Sequence, residues 1–515
     1  MRLDQSKNAK RNIYSGLLSR AVSLVLPFLL RTVMIYYLGS EYLGLNSLFT
    51  SILQVLNLSE LGFSHAVVYS MYKPIAENNE TAICALLNFY RKVYRILGLL
   101  IMGVGLALVP FLPNLVSGNI PSGINLYVLY LIYLINTVIG YVLFGYKVAL
   151  LNAFQRVDIV NNTLSICHTV LYVSQIVIVA VARDYYLSLL VMPICTVLNN
   201  VLNAWEVKKR FPQYVCKGTL EASEKNSIKK AIPGLLVNKL CMVSRNSFDS
   251  IFISAFLGLQ VSAIYGNYYY IMSALMSVMN IFSNSVLAGV GNSQVLDTPE
   301  ENYNMMKKLN FIYMWIAGWC TICLFCLYQP FMDLWVGKDL MFENGVVALF
   351  CVYFYVMEMG VIRGVYSDAA GLWWQNRYRA ILESVANLVL NYAFVKLWGI
   401  YGIVAATLLS LFVINFLWGS NIVFRHYFKN NKEKEYFLLH LKYALVTLGM
   451  LLISAAVCNY LPFTGIALLI FRLLICCILP NVGYFIVYRN SWEYKAAIPW
   501  ILKKIHLDKI LRFML

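Results

Sequence analysis

Charged side chains are scarce in this chain. Only 13% of its 515 residues are Asp, Glu, Lys or Arg, whereas a soluble domain has about 25%. The hydrophobic share of 60% is more than one globular core can bury, because single cores stop growing at roughly 250–300 residues. The composition therefore excludes an ordinary soluble protein and indicates an integral membrane protein.

The sequence also lacks a compact basic domain, a histidine motif and a nucleotide-binding loop. Its net charge is +17, but Lys and Arg occur in short clusters between apolar runs. This distribution excludes a nucleic-acid partner and is typical of membrane topology. No segment matches GxxxxGK[ST], so we expect no nucleotide cofactor.

Cysteine forms no recognisable ligand motif, although the chain has twelve. Cys320, Cys323 and Cys326 lie three residues apart, which places them along one drifting helix face with no fourth ligand nearby in the sequence. Small apolar side chains that pack between helices are the expected role. The sequence therefore predicts no metal site.

Long apolar runs are what the chain does have. A spanning helix needs about 20 mainly apolar residues, and fourteen segments meet this requirement. The predicted spans are 14–38, 43–70, 96–116, 124–146, 159–182, 185–206, 231–257, 262–291, 309–335, 344–369, 380–398, 400–424, 443–461 and 464–488. The fold class is therefore an all-α integral membrane protein with 14 transmembrane helices.

The basic residues predict the orientation. With both termini in the cytoplasm, 32 of the 41 Lys and Arg residues fall in cytoplasmic segments and three fall outside, at Arg183, Lys338 and Lys396. This asymmetry follows the positive-inside rule and requires an even number of spans. We therefore expect a multi-pass protein with its N- and C-termini on the cytoplasmic side of a plasma membrane.

Weak internal similarity divides the chain into halves. Leu38-Gly39 matches Leu257-Gly258, and Pro110-Phe111 matches Pro330-Phe331, at offsets of about 220 residues. Six spans per half make the repeat parallel, with a binding site expected between the halves. The predicted domains are an N-lobe at 1–206, a cytoplasmic linker at 207–230, a C-lobe at 231–426, and two extra helices with a tail at 427–515.

Two arginines in the first predicted span raise the question of function. Arg20 and Arg31 lie eleven residues apart, so they share a helix face, and Pro27 between them can bend the helix. A charge at the bilayer centre costs at least about 2.5–3.5 kcal/mol, so a water-filled cavity is a more favourable environment than lipid. Snorkelling towards the membrane surface stays open as the alternative for both residues.

Other spans add ionisable residues. Lys239 aligns with Arg20 in the repeat, and Arg245 stands four residues before Asp249, so that this pair could also neutralise itself. Deep cations suit a phosphate or pyrophosphate group, which arginine binds through two parallel hydrogen bonds. The candidate substrate-binding residues are Arg20, Arg31, Lys239, Arg245 and Arg363, and the candidate ion-coupling acids are Glu60, Asp249 and Glu358. No catalytic residue is predicted.

The opening pattern "SGLLSR…LLRT…YYLGSEYLGLNSLF", the fourteen spans and the six-plus-six repeat with two added helices resemble a known group. It is the polysaccharide transporter family (Wzx-like O-antigen and capsule flippases) of the multidrug/oligosaccharidyl-lipid/polysaccharide (MOP) exporter superfamily. The resemblance covers essentially the whole chain. It implies a MATE-like bundle of two lobes around a central cavity in a bacterial plasma membrane.

The resemblance also implies a function. The substrate would be an oligosaccharide on undecaprenyl pyrophosphate, moved to the outer leaflet by alternating access for surface polysaccharide synthesis. Arg20, Arg31, Lys239 and Arg245 match the basic cavity of relatives that move the peptidoglycan precursor, and the last two spans match their lipid-tail helices. The family further implies a monomer that works with glycosyltransferases and a polysaccharide polymerase, with H⁺ or Na⁺ as the coupling ion.

Three other functions stay open. A lipid II flippase would recognise the same pyrophosphate group. A MATE-type drug/cation antiporter would carry an acid in its first span, where this chain has arginines. A membrane glycosyltransferase or polymerase would need loops with catalytic acids or a metal site, and the predicted external loops are very short. We therefore expect a secondary transporter rather than an enzyme.

Overall fold

The computed structural model describes residues 5–57, 63–118, 120–220, 241, 243, 247–429 and 432–504, and every regular element within them is a helix. The fold class predicted from the sequence, an all-α integral membrane protein, is confirmed. The helices, numbered in chain order, are α1 Gln5–Tyr37, α2 Ser40–Leu56, α3 Phe63–Ala76, α4 Glu80–Leu108, α5 Leu126–Val142, α6 Val148–Ala153, α7 Val157–Ala182, α8 Tyr185–Arg210, α9 Ser247–Phe256, α10 Leu259–Leu296, α11 Pro299–Val336, α12 Asn344–Met359, α13 Val361–Ala369, α14 Trp373–Ser410, α15 Gly419–Val423, α16 Glu433–Asn459, α17 Gly465–Tyr488 and α18 Trp492–Lys504.

Within the described residues, the number of membrane-spanning helices agrees with the number predicted from the sequence. Ten helical segments are long and apolar enough to cross a bilayer, or eleven when the bent pair Leu126–Val142 and Gly145–Ala153 forms one span. The segment Trp373–Phe428 has 56 residues, about 84 Å of helix, whereas a hydrocarbon core is about 30 Å thick. It must therefore cross twice, as the predicted spans 380–398 and 400–424 require. A count of 14 is consistent with this structure, and spans 43–70 and 231–257 lie partly outside the described residues.

A glycine separates the two crossings of this long segment. Gly399 has φ 55° and ψ −127°, which is a non-helical conformation open to glycine but strained for other residues. Three residues later, a Cβ on Gly402 would lie 2.0 Å from the carbonyl oxygen of Phe394. The chain thus reverses here through close backbone contact that only glycine permits.

Some helices extend beyond the predicted membrane spans. Helix α4 begins at Glu80, before the predicted span 96–116, and α11 begins at Pro299, before the predicted span 309–335. The apolar run marks only the lipid-buried part of a helix, whereas polar caps set its start. Thr298 accepts a hydrogen bond from the Glu301 amide, and the Glu301 carboxylate accepts one from the Thr298 amide, which is a capping box.

The predicted repeat has a counterpart in the backbone. At Leu38-Gly39 and Leu257-Gly258, both amides of each pair donate to one carbonyl, that of Met34 or Ile253, and both glycines have positive φ. Positive φ recurs at four pairs of positions that are 216–219 residues apart, namely Gly39 and Gly258, Gly118 and Gly337, Gln155 and Gly371, and Arg183 and Gly399. Four helix breaks therefore recur in the same order in the second half of the chain.

The chain forms two compact units, Met1–Gly266 and Asn267–Leu515. In the first, α1 packs along α7, and α4 packs on α5 around a core that includes Phe49, Tyr130 and Tyr133. In the second, α11 packs against α12, α16 and α17. Helix α11 is thus the central helix of the second unit.

Helix α17 exposes apolar side chains, as a surface in contact with lipid does. Its side chains Ile466, Ile470 and Ile478 are exposed, while Cys476 and Tyr484 are buried. An exposed apolar stripe on a helix that is long enough to span is expected where lipid is the solvent. The chain is therefore a multi-pass membrane protein.

Candidate substrate-binding site

The first unit contains the arginines that the sequence placed in the opening span. Arg20 and Arg31 both lie on α1, with Pro27 inside the helix between them. Arg20 is exposed and Arg31 is partly buried. The guanidinium of Arg31 lies against the start of α10, because a Cβ on Gly266 would be 3.5 Å from its Nη1 atom. Of the two, Arg31 is therefore the one fixed within packed structure.

An acid approaches the same part of α10. Asp249 on α9 is fully buried, and the hydroxyl of Tyr265 donates to its Oδ2 atom over 3.1 Å. Tyr265 directly precedes Gly266, so a predicted cation and a predicted acid lie beside consecutive residues of one helix. Arg31 and Asp249, which are 218 positions apart in the sequence, thus both approach the start of α10.

Three predicted site residues lie outside the described residues. They are Glu60, Lys239 and Arg245. Their assignments, like those of Arg20 and Arg31 to substrate binding, stay predictions.

The second unit holds the fifth predicted cation in a polar network. Arg363 on α13 is 7% exposed, and its Nη2 atom donates to Oδ1 of Asn415 over 3.0 Å. Its Nη1 atom donates to the Asn415 carbonyl oxygen. The guanidinium fits here because Gly419 has no side chain, since a Cβ there would lie 1.9 Å from Nη1.

A second arginine and an acid complete this network. Asn415 donates to Oε2 of Glu383 over 2.9 Å, and Arg379 forms a 2.7 Å salt bridge with the same carboxylate. The Nε atom of Arg363 is buried and has no hydrogen-bond partner among the described residues. Arg363 is thus held in place through its two terminal nitrogens.

The acid Glu358 makes its hydrogen bond outside this network. It is 3% exposed on α12 and accepts a short hydrogen bond from the hydroxyl of Tyr313 on α11. Hydrogen bonding satisfies the carboxyl within the helix packing, as a buried polar group requires. Its predicted coupling role is not tested by this geometry.

An apolar cavity of about 550 Å³ lies next to the network, between α11, α12, the π-helical segment Leu411–Trp418 and α16. Phe325, Val356 and Phe416 line its inner part. Other lining residues, such as Leu448 and Leu452, are more than half exposed, so the cavity opens at the surface. Its shape and lining suit a hydrocarbon chain.

Sequence reasoning missed Glu383, Asn415 and this cavity. Arg379 and Glu383 are spaced i, i+4 at the start of an apolar run, and that spacing alone could have identified the ion pair. The cavity left no such signal, because its walls come from helices that are distant in sequence. It forms only where α11, α12, the π-helical segment and α16 pack together.

Comparison with known proteins identifies the fold. No family model matches this sequence, and no curated protein matches it. The structure of the lipid II flippase MurJ in an inward closed conformation aligns with a TM-score of 0.64 at 16% identity, covering 93% of this chain and 99% of that one. An inward-facing multidrug resistance MATE transporter of the MOP superfamily aligns with a TM-score of 0.60 at 14% identity, covering 78% and 94% of the two chains. A mutant of the Vibrio cholerae MATE transporter VcmN gives a TM-score of 0.52 at 14% identity, covering 83% and 99%. The chain therefore has the fold that MATE and MurJ transporters share.

Proposed function

We propose that this protein is a secondary transporter that flips an undecaprenyl-pyrophosphate-linked oligosaccharide across a bacterial plasma membrane by alternating access. The observation that carries the proposal is the presence of arginines in the spans of a chain with this fold. Arg31 is partly buried on α1 and Arg363 is buried on α13. Both suit an anionic headgroup better than a cationic drug.

The proposal assigns the pyrophosphate to the predicted cations Arg20, Arg31, Lys239, Arg245 and Arg363. A guanidinium binds phosphate through charge-assisted hydrogen bonds, which contribute about 1.5–3 kcal/mol each when the donor is ionised. The apolar cavity beside α16 would hold part of the polyprenyl tail. Cationic and apolar surfaces would then match the two chemical parts of one amphiphile.

A lipid II flippase is the second candidate. The specific observation in its favour is that the alignment with MurJ covers 93% of this chain, whereas the MATE alignments cover 78% and 83%. Lipid II carries the same pyrophosphate and polyprenyl groups, so the cations and the cavity would serve it equally. The two candidates differ in the headgroup that the pyrophosphate carries.

The energy for the cycle would come from an ion gradient or from the membrane potential. Moving one charge through the field is worth about 2.3 kcal/mol per 100 mV. Asp249 and Glu358 are buried carboxyl groups in helices, and Glu60 completes the predicted set. These acids are the proposed coupling groups.

The test uses the purified chain in proteoliposomes that contain a fluorescent undecaprenyl-pyrophosphate oligosaccharide, lipid II or a cationic dye. Headgroup translocation is measured by the access of an added glycosidase to the lipid, and dye transport is measured by fluorescence. We expect translocation of the oligosaccharide lipid, and a loss of about 10- to 100-fold in apparent affinity for Arg31→Ala, from the bond energies above. Arg31→Lys should retain part of the activity because it keeps the charge.

Arg183→Ala is the matched control, since Arg183 is exposed at the end of α7, outside the spans. Its transport should equal that of the wild type.

Translocation of lipid II alone would replace the first candidate with the second, and transport of the dye alone would exclude both. Unchanged transport in Arg31→Ala would remove the assigned role of Arg31. In cells, Arg31→Ala should abolish surface polysaccharide while the protein stays in the membrane.

A further inference from the structure

Three cysteines from three different helices meet in the second unit. Cys326 on α11, Cys458 on α16 and Cys476 on α17 have Sγ atoms that all lie within 4.8 Å of one another. All three side chains are almost fully buried. They are separated by up to 150 positions in the sequence, so only the packing of α16 and α17 on α11 brings the thiols together.

A fourth thiol and a cation border the cluster. Cys323, one turn before Cys326, contacts the thiol of Cys476. Arg472, one turn before Cys476, donates from Nη1 to the carbonyl oxygen of Cys326 over 2.9 Å and interacts electrostatically with Cys458. Its Nε atom is buried without a hydrogen-bond partner among the described residues. The cluster thus has a positive charge at its edge.

We propose that Cys326, Cys458 and Cys476 form a structural Zn²⁺ site that ties α16 and α17 to α11. Zinc prefers thiolate ligands at about 2.3 Å in tetrahedral geometry, which places two sulfurs about 3.8 Å apart. The observed spacing reaches that value with small side-chain movements. Cys323 is the residue placed to take the fourth position.

The charge of the site suits its apolar surroundings. On binding, three S–H bonds break, three Zn–S bonds form and three protons leave to water. With Cys323 bound as a neutral thiol, three thiolates and Zn²⁺ carry one net negative charge, which the guanidinium of Arg472 balances. A neutral assembly avoids the large cost of a single unpaired charge in a medium of low dielectric constant.

The ion also has a route to the site. Cys458 is next to the last residue of α16, and Tyr460 directly beyond the helix is 89% exposed. The connection between α16 and α17 therefore reaches water beside the cluster. Cys477 follows Cys476 on α17 but is exposed, so it faces away from the other thiols.

The test measures metal in the full-length protein, purified in detergent with reductant, stripped with chelator and reloaded with Zn²⁺ or Co²⁺. We expect one metal ion per chain, a thiolate-to-cobalt charge-transfer absorption band for Co²⁺, and a higher melting temperature with Zn²⁺. Cys458→Ser and Cys476→Ser should each lose the ion and the band. Cys477→Ser, the neighbouring cysteine, should keep both.

A second measurement avoids dependence on the folding of these variants. In the wild-type protein, Zn²⁺ should protect Cys326, Cys458 and Cys476 from maleimide, as read by peptide mass spectrometry, and chelator should restore their labelling. Equal metal content in Cys458→Ser, cobalt spectra without thiolate bands, or a disulfide among these cysteines in protein isolated without reductant would overturn the proposal.

Discussion

At the residue scale, the buried arginines show how this protein accommodates charge in its interior. Arg379 and Glu383 form a salt bridge in which both side chains are mostly buried, and Asn415 links that carboxylate to Arg363. Two guanidinium groups therefore share one carboxylate through direct and bridged contacts. The arrangement holds both cations in place.

Removing the shared carboxylate should therefore destabilise the protein strongly. We expect Glu383→Ala to cost about 3–5 kcal/mol, the usual effect of leaving a buried charge without its partner. The measurement is thermal unfolding of the detergent-solubilised protein. Glu77→Ala is the matched control, because Glu77 and Lys73 form an exposed i, i+4 pair whose loss should cost about 0–1 kcal/mol. Equal losses of stability in the two variants would contradict this account of the network.

A methyl group at Gly419 should disturb Arg363 directly. Its Cβ would lie 1.9 Å from Nη1, a guanidinium atom that Asn415 already holds. We expect Gly419→Ala to lower stability by about 1–3 kcal/mol, as overpacking does. Gly449→Ala, where no atom lies within 4 Å of the new Cβ, should be neutral or stabilising because alanine favours helix. If the two variants melted at the same temperature, Arg363 would be free to move aside.

At the scale of elements, the breaks between helices matter as much as the helices. The four pairs of positive-φ positions recur with nearly constant separation, although few residues around them are identical. Backbone geometry at a turn tolerates many sequences if glycine, or an occasional Gln or Arg, can adopt positive φ. The repeat is therefore clearer in the helix breaks than in the side chains.

The turn within Trp373–Phe428 provides a test of this reasoning. A Cβ at position 402 would lie 2.0 Å from a backbone oxygen, which cannot move as a side chain can. We expect Gly402→Ala to destabilise the second unit by at least about 1–3 kcal/mol and to reduce the yield of folded protein. Gly103→Ala on α4, with open space around its Cβ, is the control and should fold normally. The comparison is made by size-exclusion chromatography in detergent, and a normal monodisperse peak for Gly402→Ala would argue against a tight turn.

At the scale of the whole molecule, the distribution of positive charge predicts the orientation. Because 32 of 41 Lys and Arg residues fall in alternate connections, both termini should be cytoplasmic. A green fluorescent protein fused to the C-terminus should fluoresce in a bacterial host, and alkaline phosphatase at the same place should be inactive. A phosphatase fused after residue 184, in the connection between α7 and α8, is the control and should be active. The reverse pattern would overturn the assigned orientation.

The sequence predicted part of the candidate site and missed the rest for a physical reason. Arg20, Arg31 and Arg363 were identified because a charge in an apolar run is visible without any structure. The contacts of Arg363 with Asn415, and of Asp249 with Tyr265, depend on helix rotation and packing. In the same way, the sequence predicted only a packing role between helices for Cys320, Cys323 and Cys326. The two thiols that meet Cys326 in the structure belong to α16 and α17.

The sequence by itself determined that this protein is helical and lies in a membrane, because hydrophobicity and basic charge act locally, one segment at a time. It also indicated the repeat, through matches such as that of Leu38-Gly39 with Leu257-Gly258. Only the tertiary structure decided which cations are buried, which walls enclose the apolar cavity and which thiols meet. Those properties depend on the rotation of each helix about its own axis. Packing against neighbouring helices fixes that rotation, whereas lipid is a uniform solvent and does not.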